Sequence, residues 1–223
     1  LGILSSTIPS DADGFEVRLL AESAAKHRAV EVLVVIFVQA VRCLPEFPKW
    51  RLQEDRPERA LEVRWRWDHR HLADVIKDLQ PHLDTCALRL FPIVCETLHQ
   101  CFAIRSNWQL LDDAFDTDSF GRAAIEPHGQ DRFQDACDPV IDFARTISEW
   151  MALHVPEQLR SWMSTALKSR VPLIRRLAVH NLTILPGQSP DDALQAIIAG
   201  PIHAGNFGPN ELDATLGPAV KFQ

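Results

Sequence analysis

Four segments in the C-terminal half open on a proline and continue with apolar residues at helical spacing. The clearest is Ser169-Arg-Val-Pro-Leu-Ile-Arg-Arg-Leu-Ala-Val-His-Asn-Leu182. Proline is tolerated at a first helical position because its missing N–H would have no intrahelical partner there. Leu173, Ile174, Leu177, Ala178, Val179 and Leu182 then recur at i, i+3 and i+4, the spacing of a helix buried along a broad stripe, with Arg175 and Arg176 beside it. Pro139 to His154 repeats the arrangement with Val140, Ile141, Phe143, Ala144, Ile147, Trp150 and Met151. Pro156 to Lys168 and Pro190 to Ala199 do so again. In the last of these, Ser189 is placed to cap the N-terminus, and Asp191 and Asp192 suit the helix dipole. The spacing predicts consecutive short antiparallel helices.

The N-terminal half is less uniform. Residues 15 to 26 read as an amphipathic helix with Phe15, Leu19, Leu20 and Ala24 on its apolar side. Residues 28 to 44 are apolar nearly all round, and their length without Gly or Pro favours a buried helix over a strand. Pro45, Pro48 and the charged stretch Gln53 to Arg59 read as a linker. This divides the chain into an N-terminal helical segment and linker, 1–59, and a helical region, 60–223. Leu61, Val63, Trp65 and Trp67 alternate with Glu62, Arg64, Arg66 and Asp68, the one good strand pattern. Helical spacing resumes over His71 to Leu79 and Pro81 to Arg105, where Pro92 is expected to kink or divide the second segment. The expected fold class is therefore mainly α, an α-solenoid or irregular helical array with one short extended element.

Charge and cysteine usage narrow the setting. Over 223 residues the formal net charge is -7, which disfavours a general nucleic-acid binder because phosphate neutralisation needs a basic surface. The five cysteines, Cys43, Cys86, Cys95, Cys101 and Cys137, are odd in number and scattered. That pattern points to reduced, partly buried thiols and a cytoplasmic location. The longest apolar run, Val32 to Val38, falls far short of a bilayer span, so no membrane segment is expected. Leu1 to Gly14 lacks the features of a signal peptide, and the chain reads as a piece of a larger protein.

Candidate chemistry is sparse. His82 with Cys86 and Cys95 with His99 are two i, i+4 pairs of zinc-ligand types. On one continuous helix Cys95 lies about 220° around the axis from His82, so the pairs diverge and no metal or other cofactor is expected. Asp112, Asp113, Asp116 and Asp118 form an acidic cluster, but the twelfth position of a calcium loop there is Pro127, where a bidentate glutamate is required. Arg64, Trp65, Arg66 and Trp67 interleave basic and aromatic residues as single-strand binders do. Strand alternation would place both tryptophans on one face and both arginines on the other. There is no glycine-rich phosphate loop, nucleophile elbow or zincin motif.

Two phrases carry a resemblance: Ser169 to Leu182, and Ser119-Phe-Gly-Arg-Ala-Ala-Ile-Glu-Pro-His-Gly-Gln-Asp131. The first resembles the helix opening of HEAT-like repeats. Together the two resemble the helical C-terminal region of large bacterial anti-phage defence proteins. These join an N-terminal effector, often a SIR2-like NAD hydrolase or nuclease, and sometimes a STAND-type NTPase, to a long helical-repeat sensor. The resemblance covers roughly residues 60 to 200; Gly121 and Gly129 depart from it. It implies a non-catalytic scaffold or sensor segment that contacts a protein partner or another domain of the same protein, with any catalytic domain outside this chain. Arg122, Glu126, His128, Asp131, Arg175 and Arg176 are the structural or partner-contact candidates, Arg122 and Glu126 being able to pair across one helical turn that ends at Ile125. Two other classes stand beside this one. One is a stand-alone hydrolase using the acidic 112–138 region; the other is a nucleic-acid-binding helical module using Arg64 to Trp67 and the basic 160–176 helices.

Overall fold

The structure is a computed structural model and describes residues 14–46, 62–67, 69–107, 122, 124–128 and 137–199. It is mainly α. In chain order, α1 (Gly14–Lys26) and α2 (Val30–Ala40) lead into β1 (Cys43–Glu46), which pairs antiparallel with β2 (Glu62–Trp65). Then follow α3 (His69–Leu79), a 3-10 turn (Gln80–His82), α4 (Leu83–Asn107), α5 (Cys137–His154), α6 (Pro156–Ala166), α7 (Pro172–Ile184) and α8 (Pro190–Ala199). The proline-started segments are thus consecutive helices. The acidic cluster at Asp112, Asp113, Asp116 and Asp118 lies outside the described residues.

Each helix shows why it begins and where it faces. Ser189 caps α8 by accepting the Asp192 backbone N–H at 3.1 Å, and its hydroxyl donates to the Asp192 carboxylate at 2.7 Å. α1 ends where Arg28 adopts φ 53, and the Ala29 N–H reaches back to the Ala24 carbonyl at 2.8 Å, a Schellman closure. Its buried side is Val17, Ala21 and Ala24, whereas Leu19 and Leu20 are 51% and 44% exposed. The expected face is therefore turned by about one residue. Through this face α1 packs on α2 and α3.

α2 stops at Ala40, and the residues just beyond it become β1 rather than a continuation of the helix. Pro45, expected in a linker, lies in this strand opposite Val63. A proline is acceptable there because a two-stranded sheet has an open edge where no donor is needed. Pro92 lies inside α4 without dividing it. The proline and Leu88, four residues earlier, are both exposed, so the carbonyl that loses its donor lies on the solvent side of the helix.

The core is one apolar cluster that runs from Val17 on α1 to Ala193 on α8, and it includes residues from both sides of position 59. Leu90, Phe91, Val94, Leu98 and Cys101 give α4 its buried stripe, and α5 packs against it. Phe37 of α2 meets Phe143 of α5 edge-on at 5.2 Å between ring centres, and Phe91 of α4 meets Trp162 of α6 at 4.9 Å. The helical run His69–Ser106 contains a stretch apolar enough by length and composition to cross a membrane, and 44% of that stretch is buried within the protein. α7 is buried on every side, including Arg175 at 4% and Arg176 at 1% exposure. These arginines lie in the interior, not beside a stripe, because α4, α5, α6 and α8 all pack on this helix.

Candidate functional site

Asp138, Asp142, Arg145 and Glu149 fall at i, i+4, i+7 and i+11 along α5, which places four charges on one face of that helix. The segment 122–128 lies across this face, and α7 closes over it with Arg176 and His180, one turn apart. The result is a polar network at the edge of the apolar core, with Arg122, Arg176 and His180 buried and Asp142, Glu149 and Glu126 partly open to solvent.

Arg122 is its centre. Its guanidinium donates to Asp138 Oδ1 at 3.2 Å and to Asp142 Oδ1 at 2.8 Å. It also donates to the carbonyls of Ala124 at 3.3 Å and Ile125 at 3.2 Å, so the side chain folds its own loop around itself. From the other side, Arg176 Nη2 donates to the Arg122 carbonyl at 2.9 Å. Arg145 adds a bond to the Ile125 carbonyl at 2.9 Å and stands 3.5 Å from Glu149. Buried carbonyls on a segment without helical or sheet pairing need such donors, since an unmet polar group costs about 1–3 kcal/mol.

His180 completes the network. Its Nδ1 lies 2.5 Å from Glu126 Oε1 and its Nε2 lies 3.2 Å from Glu149 Oε1, while the side chain is only 4% exposed. Only the imidazolium can donate from both ring nitrogens at once. Burial pulls the ring towards its neutral form, but the hydrogen bonds and charges of Glu126 and Glu149 outweigh it, and the pKa rises above the ordinary 6.5. The His180 hydrogen bond in turn holds the Glu126 carboxyl below its ordinary 4.5, against burial. With His180 protonated, Arg122, Arg145, Arg176 and His180 balance Asp138, Asp142, Glu126 and Glu149.

Four of the sequence candidates, Arg122, Glu126, Arg176 and Arg175, are thereby placed. The first three meet in the network. Arg175 turns instead to the start of its own helix, where its Nη1 donates to the Ser169 carbonyl. His128 is half-buried on the same loop, and Asp131 lies outside the described residues. Residues 122 and 124–128 carry no helix, so the expected helical turn ending at Ile125 is replaced by irregular chain in which Arg122 reaches α5 and Glu126 reaches α7. Asp138, Asp142, Arg145, Glu149 and His180 were not singled out by the sequence; the i, i+4, i+7, i+11 charge spacing on α5 was the available signal.

The other candidate chemistries are dispersed. Cys86 Sγ donates to the His82 carbonyl at 3.1 Å, and burial raises its thiol to about 11. Burial raises Cys95 to about 12, with Trp162 as its neighbour. Among the described residues no three His, Cys, Asp or Glu side chains converge as a metal site would require. Trp67 is buried and Trp65 half-buried against the core, while Arg64 pairs with Glu46 at 3.0 Å and Arg66 donates to Gln39 at 2.9 Å. Asp138, from the acidic 112–138 region, is held by Arg122 and lines a groove of about 230 Å³ between α3 and α5. No protein-family model, curated protein or solved structure matches this chain.

Beside His180, Asn181 is fully buried and neither amide atom has a hydrogen-bond partner. Asn181→Leu keeps the shape and removes both unmet groups. It is expected to raise stability by about 1–2 kcal/mol in urea titration, where an unmet amide of no consequence would leave the midpoint unchanged.

Proposed function

We propose that this chain is a non-catalytic helical scaffold or sensor segment of a larger bacterial defence protein, acting through contacts with another protein or another domain of the same protein. The observation that carries this reading is the occupancy of the candidate residues: Arg122, Glu126 and Arg176 bond between the 122–128 loop and α5 or α7, and Arg175 bonds the chain just before its own helix. Charges used in this way fix helices in register. A HEAT-like arrangement is supported by the succession of proline-started helices, in which α5, α6, α7 and α8 each pack on the next. The defence setting is supported by the resemblance of the phrases around Arg122 and Arg175.

If the candidates are fasteners, Glu126→Ala and Arg175→Ala should each lower the thermal midpoint of the chain, by about 1–3 kcal/mol in stability. Unchanged or raised midpoints, together with lost activity of the protein that carries this segment, would assign them to a ligand contact instead, since functional polar groups are often kept at a stability penalty. The defence reading has its own test. Removing the segment from its parent protein should abolish protection in a phage-plating assay, and unaltered plating would remove that reading while leaving the scaffold intact.

A further inference from the structure

α1 and α3 pack against each other, and Trp67, on the link from β2 to α3, completes with them a cavity of about 160 Å³. Its floor is apolar: Ala21 of α1, Val75 of α3 and Trp67 are all buried. Its rim is charged, because Arg18 and Glu22 share one face of α1 with Ala21, and His71, Asp74 and Asp78 share one face of α3 with Val75. Lys77 stands on the same rim. An apolar base with a few placed polar groups is the usual form of a small-molecule site. A cavity of roughly 150 Å³ takes a molecule the size of benzene.

Two polar groups around this cavity are left without a partner. Arg18 answers Glu22 at 2.9 Å and Asp74 at 3.8 Å, whereas no ion pair or hydrogen bond reaches the half-buried Asp78 among the described residues. Burial, reinforced by the charges of Asp74 and Glu22, lifts the Asp78 carboxyl above its ordinary 3.8. Trp67 is 5% exposed, and its indole N–H is buried with no acceptor among the described residues. A buried indole N–H ordinarily has one, and the neighbouring floor residues Ala21 and Val75 carry no side-chain acceptor. An unpaired carboxylate calls for a positive charge, an unmet donor for an acceptor, and an aromatic wall suits an organic cation. We propose that this cavity is a binding site for a small organic ammonium compound, whose positive end takes Asp78 and whose acceptor oxygen takes the Trp67 indole N–H. The site shares no residue with the Arg122 network, and it gives the scaffold a small-molecule ligand that bridges α1 and α3.

The test titrates the full 223-residue chain with three matched compounds and follows its indole N–H signals by proton–nitrogen NMR. The chain has six tryptophans, and the Trp67 signal is the one lost in Trp67→Phe. Methoxybutylamine, with an ether oxygen that accepts and an ammonium, should move the Trp67 signal saturably. Hexylamine, in which a methylene replaces that oxygen, should bind about 5-fold more weakly, the worth of one hydrogen bond. Methoxypentanoate, in which a carboxylate replaces the ammonium, should leave the signal in place. Asp78→Asn should weaken methoxybutylamine by about 10-fold or more, as loss of a charge-assisted bond does. No saturable shift with methoxybutylamine, equal binding of either control compound, or unchanged affinity in Asp78→Asn would each overturn the proposal, the first of these leaving the cavity to water alone. Where Trp67→Phe fails to fold, calorimetric titration of the wild-type chain and Asp78→Asn with the same three compounds decides.

Discussion

Arg122→Ala is expected to lower the stability of the chain by about 3–5 kcal/mol, which for this size is roughly a 10 °C fall in thermal midpoint. The side chain is 5% exposed and holds Asp138, itself 17% exposed, together with Asp142 and two carbonyls of its own loop. Its removal takes from Asp138 the guanidinium that holds it and from the Ala124 carbonyl its donor, and leaves the Ile125 carbonyl to Arg145 alone, and these effects point the same way. Arg122→Lys should restore little, because a single ammonium cannot occupy the positions of a planar fork that reaches two carboxylates and the carbonyls of Ala124, Ile125 and Asp138. The exposed pair Arg18–Glu22, 2.9 Å apart with side chains 51% and 54% exposed, is the control: Arg18→Ala should change stability by less than about 0.5 kcal/mol. Denaturant titration of the three variants separates these outcomes, and equal small effects at both sites would refute the buried-network reading.

The second large effect is on pH dependence. His180 has a folded pKa above 6.5, so its contribution is complete below pH 6.5 and is lost as the pH rises through the folded value. Glu126 is shifted the other way, so its contribution is complete above pH 4.5 and is lost as the pH falls through its own folded value. The pair therefore stabilises the protein fully between 4.5 and 6.5 and loosens on the alkaline side. Between 6.5 and the folded value of His180, stability should fall as the pH rises. His180→Gln is expected to be less stable at pH 6 and to lose this alkaline slope. A wild-type profile that is flat from pH 6 to 8, or a variant that keeps the slope, would count against the assignment.

Helical content was legible because Pro156, Pro172 and Pro190 mark helix starts through a local rule, Pro139 falls in the first turn of a helix that begins at Cys137, and the apolar spacing behind each follows from a local period. The strand at Val63 and Trp65 was legible from alternation, but its partner was not. Cys43–Glu46 contains a proline and follows an apolar helix, and only the approach of a second strand from across residue 59 makes it one. The face of α1 was misplaced by about one residue: Val17, Ala21 and Ala24 are buried where Leu19 and Leu20 stay exposed, a choice made by the packing against α2 and α3 and not by the helical period. In the site, Arg122, Glu126 and Arg176 were legible as polar residues in unusual phrases. Their partners were not, because Arg176 meets the Arg122 carbonyl, and His180 meets Glu126, across 54 residues of sequence. Pairings of that separation are set by how α5 and α7 pack, which no local period encodes.

A double-mutant cycle at pH 6 between Glu126→Ala and His180→Ala is the most direct test that these charged residues fasten one another. Glu126 belongs to the irregular loop and His180 to α7, and the carboxylate oxygen stands 2.5 Å from the ring nitrogen. Each single variant should destabilise the chain, and the double variant should lose less than their sum by about 1–3 kcal/mol, the coupling expected of partners in one buried network. Strict additivity, with a coupling near zero, would contradict the account and leave both residues available to a ligand.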